Sequence, residues 1–127
     1  MPIETAVKVV DASAIAAALF GEPGGQGVLE QLGSSSLRAP ELLPFEVANV
    51  CLKKARLDWV QADAIIDAFS LLAAMAIDFV PVKHGEVLDL ARASGLTAYD
   101  ASYLWLAQQL NAELVTLDRR LAAAARR

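Results

Sequence analysis

Four acidic residues of this 127-residue chain lie where predicted strands give way to helices. Asp11 directly follows a short apolar strand at residues 7–10, and Asp118 follows the last strand, residues 113–116, within two residues. Glu46 lies early in the helix after the second strand, and Asp100 lies in the first turn of a later helix. Because sites in open parallel α/β sheets form beyond the carboxyl ends of the strands, these four carboxylates are candidates for one site.

The chemistry that clustered carboxylates can perform is restricted when few basic side chains lie close to them. Their mutual repulsion raises their pKa values unless a bound cation offsets it. Without His or Cys partners they are hard oxygen ligands, which suit Mg²⁺ or Mn²⁺. Carboxylates that hold such ions can activate water and stabilise the charge of an in-line displacement at phosphorus. The spacing is therefore consistent with metal-dependent hydrolysis of a phosphodiester.

A purely structural role explains the same acids when each is considered alone. Aspartate is a favoured helix N-cap, which would account for Asp11 and Asp118. Thr97 followed three residues later by Asp100 resembles a capping box, and Glu46 could complement the dipole of its helix. Spacing alone leaves both interpretations open.

Short apolar strands that alternate with helices must position these acids. We predict strands at residues 7–10, 37–39, 79–82 and 113–116, and helices at residues 12–20, 26–32, 41–57, 60–77, 86–94, 99–110 and 118–125. This alternation is typical of a parallel sheet covered on both faces, and Pro81 predicts that its strand lies at an edge. The expected fold is one α/β domain spanning residues 1–127, a three-layer α/β/α sandwich with a short central parallel sheet.

Composition and charge narrow the class of protein. Hydrophobic residues make up 56% of the chain, which is ample for a core, and the net charge is −4. That charge argues against a protein that binds nucleic acid through a broad basic surface. The longest apolar stretch, residues 68–77, is far shorter than the roughly 20 residues of a membrane span. We expect a soluble cytoplasmic protein, and the single Cys and single His argue against an internal disulfide or a Cys/His metal cluster.

Four short motifs, in order, carry a resemblance to a known family. They are VVDASA at residues 9–14, PELLPFEVANV at 40–50, LTAYDA at 96–101 and LVTLDRRL at 114–121. Together they resemble the motifs of the PIN-domain ribonucleases, and most of all the VapC-type toxins of toxin–antitoxin pairs. The chain departs from many of these proteins at residues 111–112, where Asn-Ala stands in place of a glycine before the last strand.

The resemblance implies a PIN-like fold and a Mg²⁺- or Mn²⁺-dependent endoribonuclease that leaves a 5′-phosphate and a 3′-hydroxyl. The residues that match the family's catalytic and metal-binding acids are Asp11, Glu46, Asp100 and Asp118. Three polar residues match positions that orient these acids or their waters, namely Ser13, Asn49 and Thr116. The resemblance also implies an RNA substrate, a homodimer and a VapB-type antitoxin, with which a hetero-oligomer could form.

Two groups of basic residues are candidates for holding the RNA locally. They lie on the helix that carries Glu46 and directly after Asp118, and comprise Lys53, Lys54, Arg56, Arg119 and Arg120. With a net charge of −4, phosphate contacts should be few and the salt dependence of binding shallow. Recognition would then depend on RNA shape and on unpaired bases.

Some apolar residues suggest packing or a partner surface. Trp59 and Trp105 are predicted to be packing anchors, although one of them could serve a dimer or an antitoxin. The helix at residues 60–77 has wide apolar coverage, which favours a partner surface.

Two non-enzymatic alternatives remain at this point. A receiver-type signalling domain also has strand-end acids, but it needs a second acid after Asp11 and a lysine where Asp118 stands. The other alternative is a partner-binding module whose acids are only helix caps. A metal-dependent rise in melting temperature would distinguish a real site from such caps.

Overall fold

The sheet has four parallel strands, all joined by crossover connections. The computed structural model describes residues 5–127. Its strands lie in the order β3-β2-β1-β4; their bounds are Val7–Val10 for β1, Ser36–Pro40 for β2, Asp78–Val80 for β3 and Glu113–Val115 for β4. The three-layer α/β/α arrangement expected from the sequence is confirmed, and β3 is an edge strand as Pro81 predicted.

Eight helices cover the sheet in the described part of the chain. In chain order they are α1 Ala12–Phe20, α2 Gly25–Leu32, α3 Leu43–Leu57, α4 Ala62–Phe69, α5 Leu71–Ala74, α6 His84–Ser94, α7 Ala98–Leu110 and α8 Arg119–Ala125. Most bounds lie within two residues of the prediction. No helix in residues 5–127 is long and apolar enough to cross a membrane.

The core gathers around β1 and α7. Val9 and Val10 of β1 are fully buried, as are Ile15 of α1 and Val47 of α3. On α7, seven consecutive residues from 101 to 107 are buried, so this helix is enclosed on nearly all sides. Asp11 directly follows β1, and Asp100 lies in the first turn of α7. The packing of these two elements in the core therefore fixes where both acids lie.

The single helix predicted for residues 60–77 is wrong. α4 ends at Phe69, α5 is one short turn, and Ala76 then adopts a left-handed backbone with φ of 54°. At the break, the Ser70 hydroxyl donates to the carbonyl of Asp67 at 2.6 Å. Serine competes in this way for backbone carbonyls and weakens a helix. The apolar pattern of residues 68–77 did not reveal the break because it contains neither Gly nor Pro.

The register of the sheet places the ends of β1 and β4, which lead to Asp11 and Asp118, side by side. Val10 pairs with Val115, so β1 and β4 end side by side, and the amide of Asp11 donates to the carbonyl of Val115 at 3.2 Å. The turn that leads into β4 is made by Asn111, which ends α7 in a left-handed conformation with φ of 49°. Asparagine tolerates this conformation and can take the place of glycine there.

Candidate active site

Asp11 is the most buried of the four acids, with 4% of its surface exposed. One of its carboxylate oxygens accepts hydrogen bonds from the Ser13 hydroxyl at 2.8 Å and from the Ala14 amide at 3.0 Å. The other accepts from the Thr116 hydroxyl at 2.6 Å. The contact with Ala14 makes Asp11 the N-cap of α1, so the capping role predicted for Asp11 is confirmed. The contacts with the two hydroxyls fix the orientation of its carboxylate.

The same two hydroxyls hold the loop between β4 and α8. The Ser13 oxygen accepts from the Leu117 amide at 3.0 Å, and the Thr116 oxygen accepts from the Asp118 amide at 3.0 Å. Asp118 in turn caps α8, because its Oδ1 accepts from the Leu121 amide at 2.9 Å. A continuous hydrogen-bond network therefore links Asp11 to the backbone of Asp118.

Glu46 lies in the first turn of α3 and is partly buried. Its Oε1 accepts a hydrogen bond from the Tyr103 hydroxyl at 2.6 Å, and Tyr103 is only 1% exposed. The sequence analysis missed Tyr103. Two signals could have found it: it follows Asp100 by three residues and so shares a face of the helix with it, and a buried tyrosine hydroxyl needs a partner.

Asp100 occupies the first turn of α7, where its amide donates to the hydroxyl of the N-cap Thr97 at 3.1 Å. Its carboxylate is partly exposed. The Thr97 half of the predicted capping box is thus present, and the carboxylate of Asp100 lies at the rim of the site.

The pKa values show that the acids lie within electrostatic reach of one another. Burial is the main cause that raises the pKa of Asp11, Glu46 and Asp100. The charge of Asp100 further raises the pKa of both Asp11 and Glu46, and Asp118 raises that of Asp100. The pKa of the Tyr103 hydroxyl is raised by burial and then by Glu46, Asp11 and Asp100. These influences indicate that the four carboxylates and Tyr103 lie near one another, and the space between the carboxylates is called the hollow below.

Within residues 5–127, the positive charge near this hollow is smaller than the negative charge of its four acids. The ion pairs found within residues 5–127 use other acids, namely Glu22, Asp78, Glu86 and Glu113. Arg120 is the basic side chain that acts on the site, since its charge lowers the pKa of Asp100, and its guanidinium donates to the Gly95 carbonyl at 2.9 Å. Four partly buried acids that are compensated only in part are costly unless a further cation joins them.

The donor set suits a hard divalent cation that keeps part of its water. In residues 5–127, no three His, Cys, Asp or Glu side chains already stand in the close arrangement of a complete metal site. Mg²⁺ does not require such an arrangement, because proteins usually bind it through one or two carboxylates while it retains several waters. The oxygens that could hold the ion are those of Asp11, Glu46, Asp100 and Asp118.

The other residues singled out in the sequence are less closely tied to the hollow. Asn49 is exposed on α3, and in the described part of the chain it makes no hydrogen bond to an acid of the site. Lys54 pairs with Glu22 at 2.9 Å, and lies about 12 Å along α3 from Glu46. The remaining basic candidates of α3 and α8 are exposed, namely Lys53, Arg56 and Arg119.

The tryptophans differ from each other. Trp105 is a packing anchor as predicted, with 8% exposure and a hydrogen bond from its ring nitrogen to Glu86 at 3.1 Å. The same prediction for Trp59 is wrong, because its side chain is 83% exposed. Trp59 lies in the loop after α3.

The class of protein follows from comparison with known families. The family model described as the PIN domain matches residues 8–127. A parallel sheet with four acids beyond its strand ends agrees with this match, and the chain belongs to the PIN domain family. A receiver-type signalling domain is thereby excluded.

Individual relatives define the group within the family. The chain is 36% identical to Ribonuclease VapC3 of Pyrobaculum aerophilum over 122 residues, covering 90% of this chain and 91% of that protein. It is 35% identical to VapC ribonuclease Mb0985 of Mycobacterium bovis over 114 residues, or 90% of this chain and 87% of that one. The crystal structure of PAE2754 from Pyrobaculum aerophilum aligns with a TM-score of 0.76 at 29% identity, covering 94% of this chain and 84% of that one. The chain is of the VapC type.

Proposed function

We propose that the protein is a Mg²⁺- or Mn²⁺-dependent endoribonuclease and the toxin of a VapBC-type toxin–antitoxin pair. The observation that carries this proposal is the group of four carboxylates that influence one another beyond the strand ends, with Arg120 offsetting only part of their charge. The VapC relatives named as ribonucleases support it.

The ion would be held by Asp11, Glu46, Asp100 and Asp118. When bound, a divalent metal supplies a water activated for attack and stabilises the charge that develops on the phosphate. Its positive charge would also relieve the repulsion that raises the pKa of the site's acids.

The residues of the chain itself keep the acids in place. Asp11 is held by three hydrogen bonds, from Ser13, Ala14 and Thr116, and Glu46 by one from Tyr103. Carboxylates fixed before the ion arrives need not reorganise when it binds, which favours both affinity and rate. Arg120 at the rim would contact a phosphate of the RNA.

The proposed partners are a VapB-type antitoxin and a second copy of the chain, in the cytoplasm. An acidic hollow is complementary to a basic segment of an antitoxin. Exposed apolar side chains at the end of α3, in the loop after it and on α4 offer area for a partner, among them Leu57, Trp59 and Ile66, which are 78%, 83% and 51% exposed. The prediction of a partner surface near residues 60–77 is thus retained as a proposal.

The function is tested by RNA cleavage with purified protein. We expect cleavage with Mg²⁺ or Mn²⁺, none with a chelator, and products with a 5′-phosphate. Asp11→Asn and Asp100→Asn should abolish cleavage while the protein stays folded. Asp63→Asn is the matched control, because Asp63 is an exposed acid of α4 outside the site. Cleavage at the normal rate by both site variants would refute the proposal.

A thermal measurement separates the proposal from the alternative that the acids are only caps. Asp11 and Asp118 do cap helices, so this alternative rests on real contacts. A functional site should raise the melting temperature when Mn²⁺ is added. A set of caps should show no such response.

A further inference from the structure

A cavity is lined by residues that neighbour two of the acids, Glu46 and Asp100, in the chain. It has a volume of about 370 Å³ and lies between the end of β2, the residues around the start of α6 and the start of α7. That volume falls in the range of roughly 300–1,000 Å³ typical of small-ligand sites. Residues from all three segments line it, including Pro40, Glu41, Pro81, His84, Leu88 and Tyr99.

The cavity and the acidic hollow share two chain segments, one around the start of α3 and one at the start of α7. Tyr99, which lines the cavity, immediately precedes Asp100 on α7, so their Cα atoms are about 3.8 Å apart. Glu41 and Leu42 line the cavity just before α3 begins, and Glu46 lies in the first turn of that helix. A molecule with one group in the hollow could therefore place an adjacent group in the cavity.

Tyr99 is presented rigidly to this cavity. Its ring is 66% exposed, and its hydroxyl makes no hydrogen bond within the described part of the chain. Its backbone is fixed, because the buried Ser102 donates from its hydroxyl to the Tyr99 carbonyl at 2.6 Å and Thr97 caps the helix. An exposed aromatic ring on a fixed backbone is the platform on which proteins stack single-stranded bases.

The chemistry of the two neighbouring sites fits one kind of occupant. The cavity walls are mostly apolar, with His84 and Glu41 as exposed polar groups at the edge. The hollow beside it would receive an anion through a bridging cation. A nucleotide joins a flat, uncharged base, which suits the cavity, to an anionic phosphate, which suits the hollow. An apolar side chain of a protein partner would occupy only the cavity.

We propose that this cavity binds one unpaired base of the RNA, next to the phosphodiester that is cut. Tyr99 stacks on the base, and His84 and Glu41 contact its edge and so influence which base is accepted. This inference rests on the proposed ribonuclease function, because it specifies the substrate of the same site.

The first experiment does not depend on cleavage. Uncharged nucleosides are titrated into the protein, and the amide signals of residues around the cavity and elsewhere are followed by NMR. We expect shifts confined to the cavity for at least one nucleoside, and their loss in Tyr99→Ala. Phe45→Ala is the matched control, because Phe45 is a 76% exposed aromatic residue next to Glu46 that does not line the cavity. It should leave nucleoside binding unchanged.

The second experiment measures cleavage of a short single-stranded RNA. Tyr99→Ala should lower kcat/KM about 5- to 150-fold, the range that corresponds to the loss of one stacked base, and Tyr99→Phe should restore most of it. The Mn²⁺-induced rise in melting temperature should stay normal in Tyr99→Ala, since that residue is not a ligand. An RNA that lacks the base at the stacked position should be cut slowly by the unaltered protein, and Tyr99→Ala should slow it no further.

The outcomes separate the two proposals. If nucleosides shift no signal, or if Tyr99→Ala cuts RNA at the normal rate, the base site is refuted while the ribonuclease proposal stands. If no RNA is cut but nucleosides still bind in the cavity, the ribonuclease proposal fails instead. If Tyr99→Ala changes the sedimentation of the protein and nucleosides have no effect, the cavity is a contact between copies of the chain and the base site is refuted.

Discussion

Replacing Tyr103 by phenylalanine removes one oxygen atom and the hydrogen bond that holds Glu46. The bond is 2.6 Å long and its donor is 1% exposed. Hydrogen bonds to charged groups contribute about 1.5–3 kcal/mol. Because Glu46 is only partly buried, water can reach the oxygen that is freed, so we expect a loss near the lower limit, about 1.5 kcal/mol without metal. For a chain of this length that corresponds to a fall in Tm of about 5 °C.

The loss should depend on pH in a defined direction. Burial raises the pKa of Glu46, and the bond from Tyr103 opposes that rise. Removing the bond therefore raises the folded-state pKa of Glu46 further. The stabilisation that the bond provides is complete while Glu46 is ionised, and it decreases as the pH falls through this pKa. The difference between the two proteins should be larger at neutral pH than near pH 4.5.

Urea unfolding followed by circular dichroism measures this difference at both pH values. Tyr99→Phe is the control, because the only other tyrosine of the chain lies four residues earlier on α7 and is 66% exposed. It should change the unfolding free energy by less than about 0.5 kcal/mol. Equal stability of Tyr103→Phe and the unaltered protein at neutral pH, or an equal loss at both pH values, would refute the reasoning.

Three further outcomes are expected. Asp100→Asn should raise the free energy of unfolding at neutral pH by up to about 1 kcal/mol in metal-free protein. The reason is that a carboxylate with a raised pKa favours folding only below its unfolded pKa and opposes folding above it. Urea unfolding measures this change, and a fall in stability would contradict the prediction. Thr116→Val should lower the free energy of unfolding by about 1–3 kcal/mol, because Asp11 and the amide of Asp118 each lose a hydrogen-bond partner. An unchanged midpoint of urea unfolding would contradict the proposed hydrogen-bond network between Asp11 and Asp118. RNA affinity should fall only slightly as salt is added, because the net charge is −4. The slope of log affinity against log salt concentration should be shallower than about −2. Fluorescence anisotropy at several salt concentrations measures this slope, and a steeper one would contradict the prediction.

Much of the fold was predictable because its strands are short segments rich in apolar residues that alternate with helical stretches. The strand of residues 7–10 has the predicted bounds, and the predicted order of strands and helices is correct outside residues 60–77. That stretch failed because the break after Phe69 depends on a local serine contact and a positive φ at Ala76. Neither feature alters the hydrophobic period from which the helix was predicted.

The four candidate acids were predicted for a different reason. Each stands at a strand end or in the first turn of a following helix, and a parallel sheet aligns such positions. Tyr103 was missed because its partner, Glu46, lies 57 residues away in the chain. The exposure of Asn49 and Trp59 was also not predictable, since it depends on which neighbouring element covers each helix or loop.

The central claim is that four distant carboxylates form one site for a divalent ion. The most direct measurement is the anomalous diffraction of a crystal soaked in Mn²⁺. The account predicts a single region of anomalous density within the hollow, in contact with at least two of the oxygens of Asp11, Glu46, Asp100 and Asp118. Density only at other surfaces, or none in the hollow at saturating Mn²⁺, would contradict it.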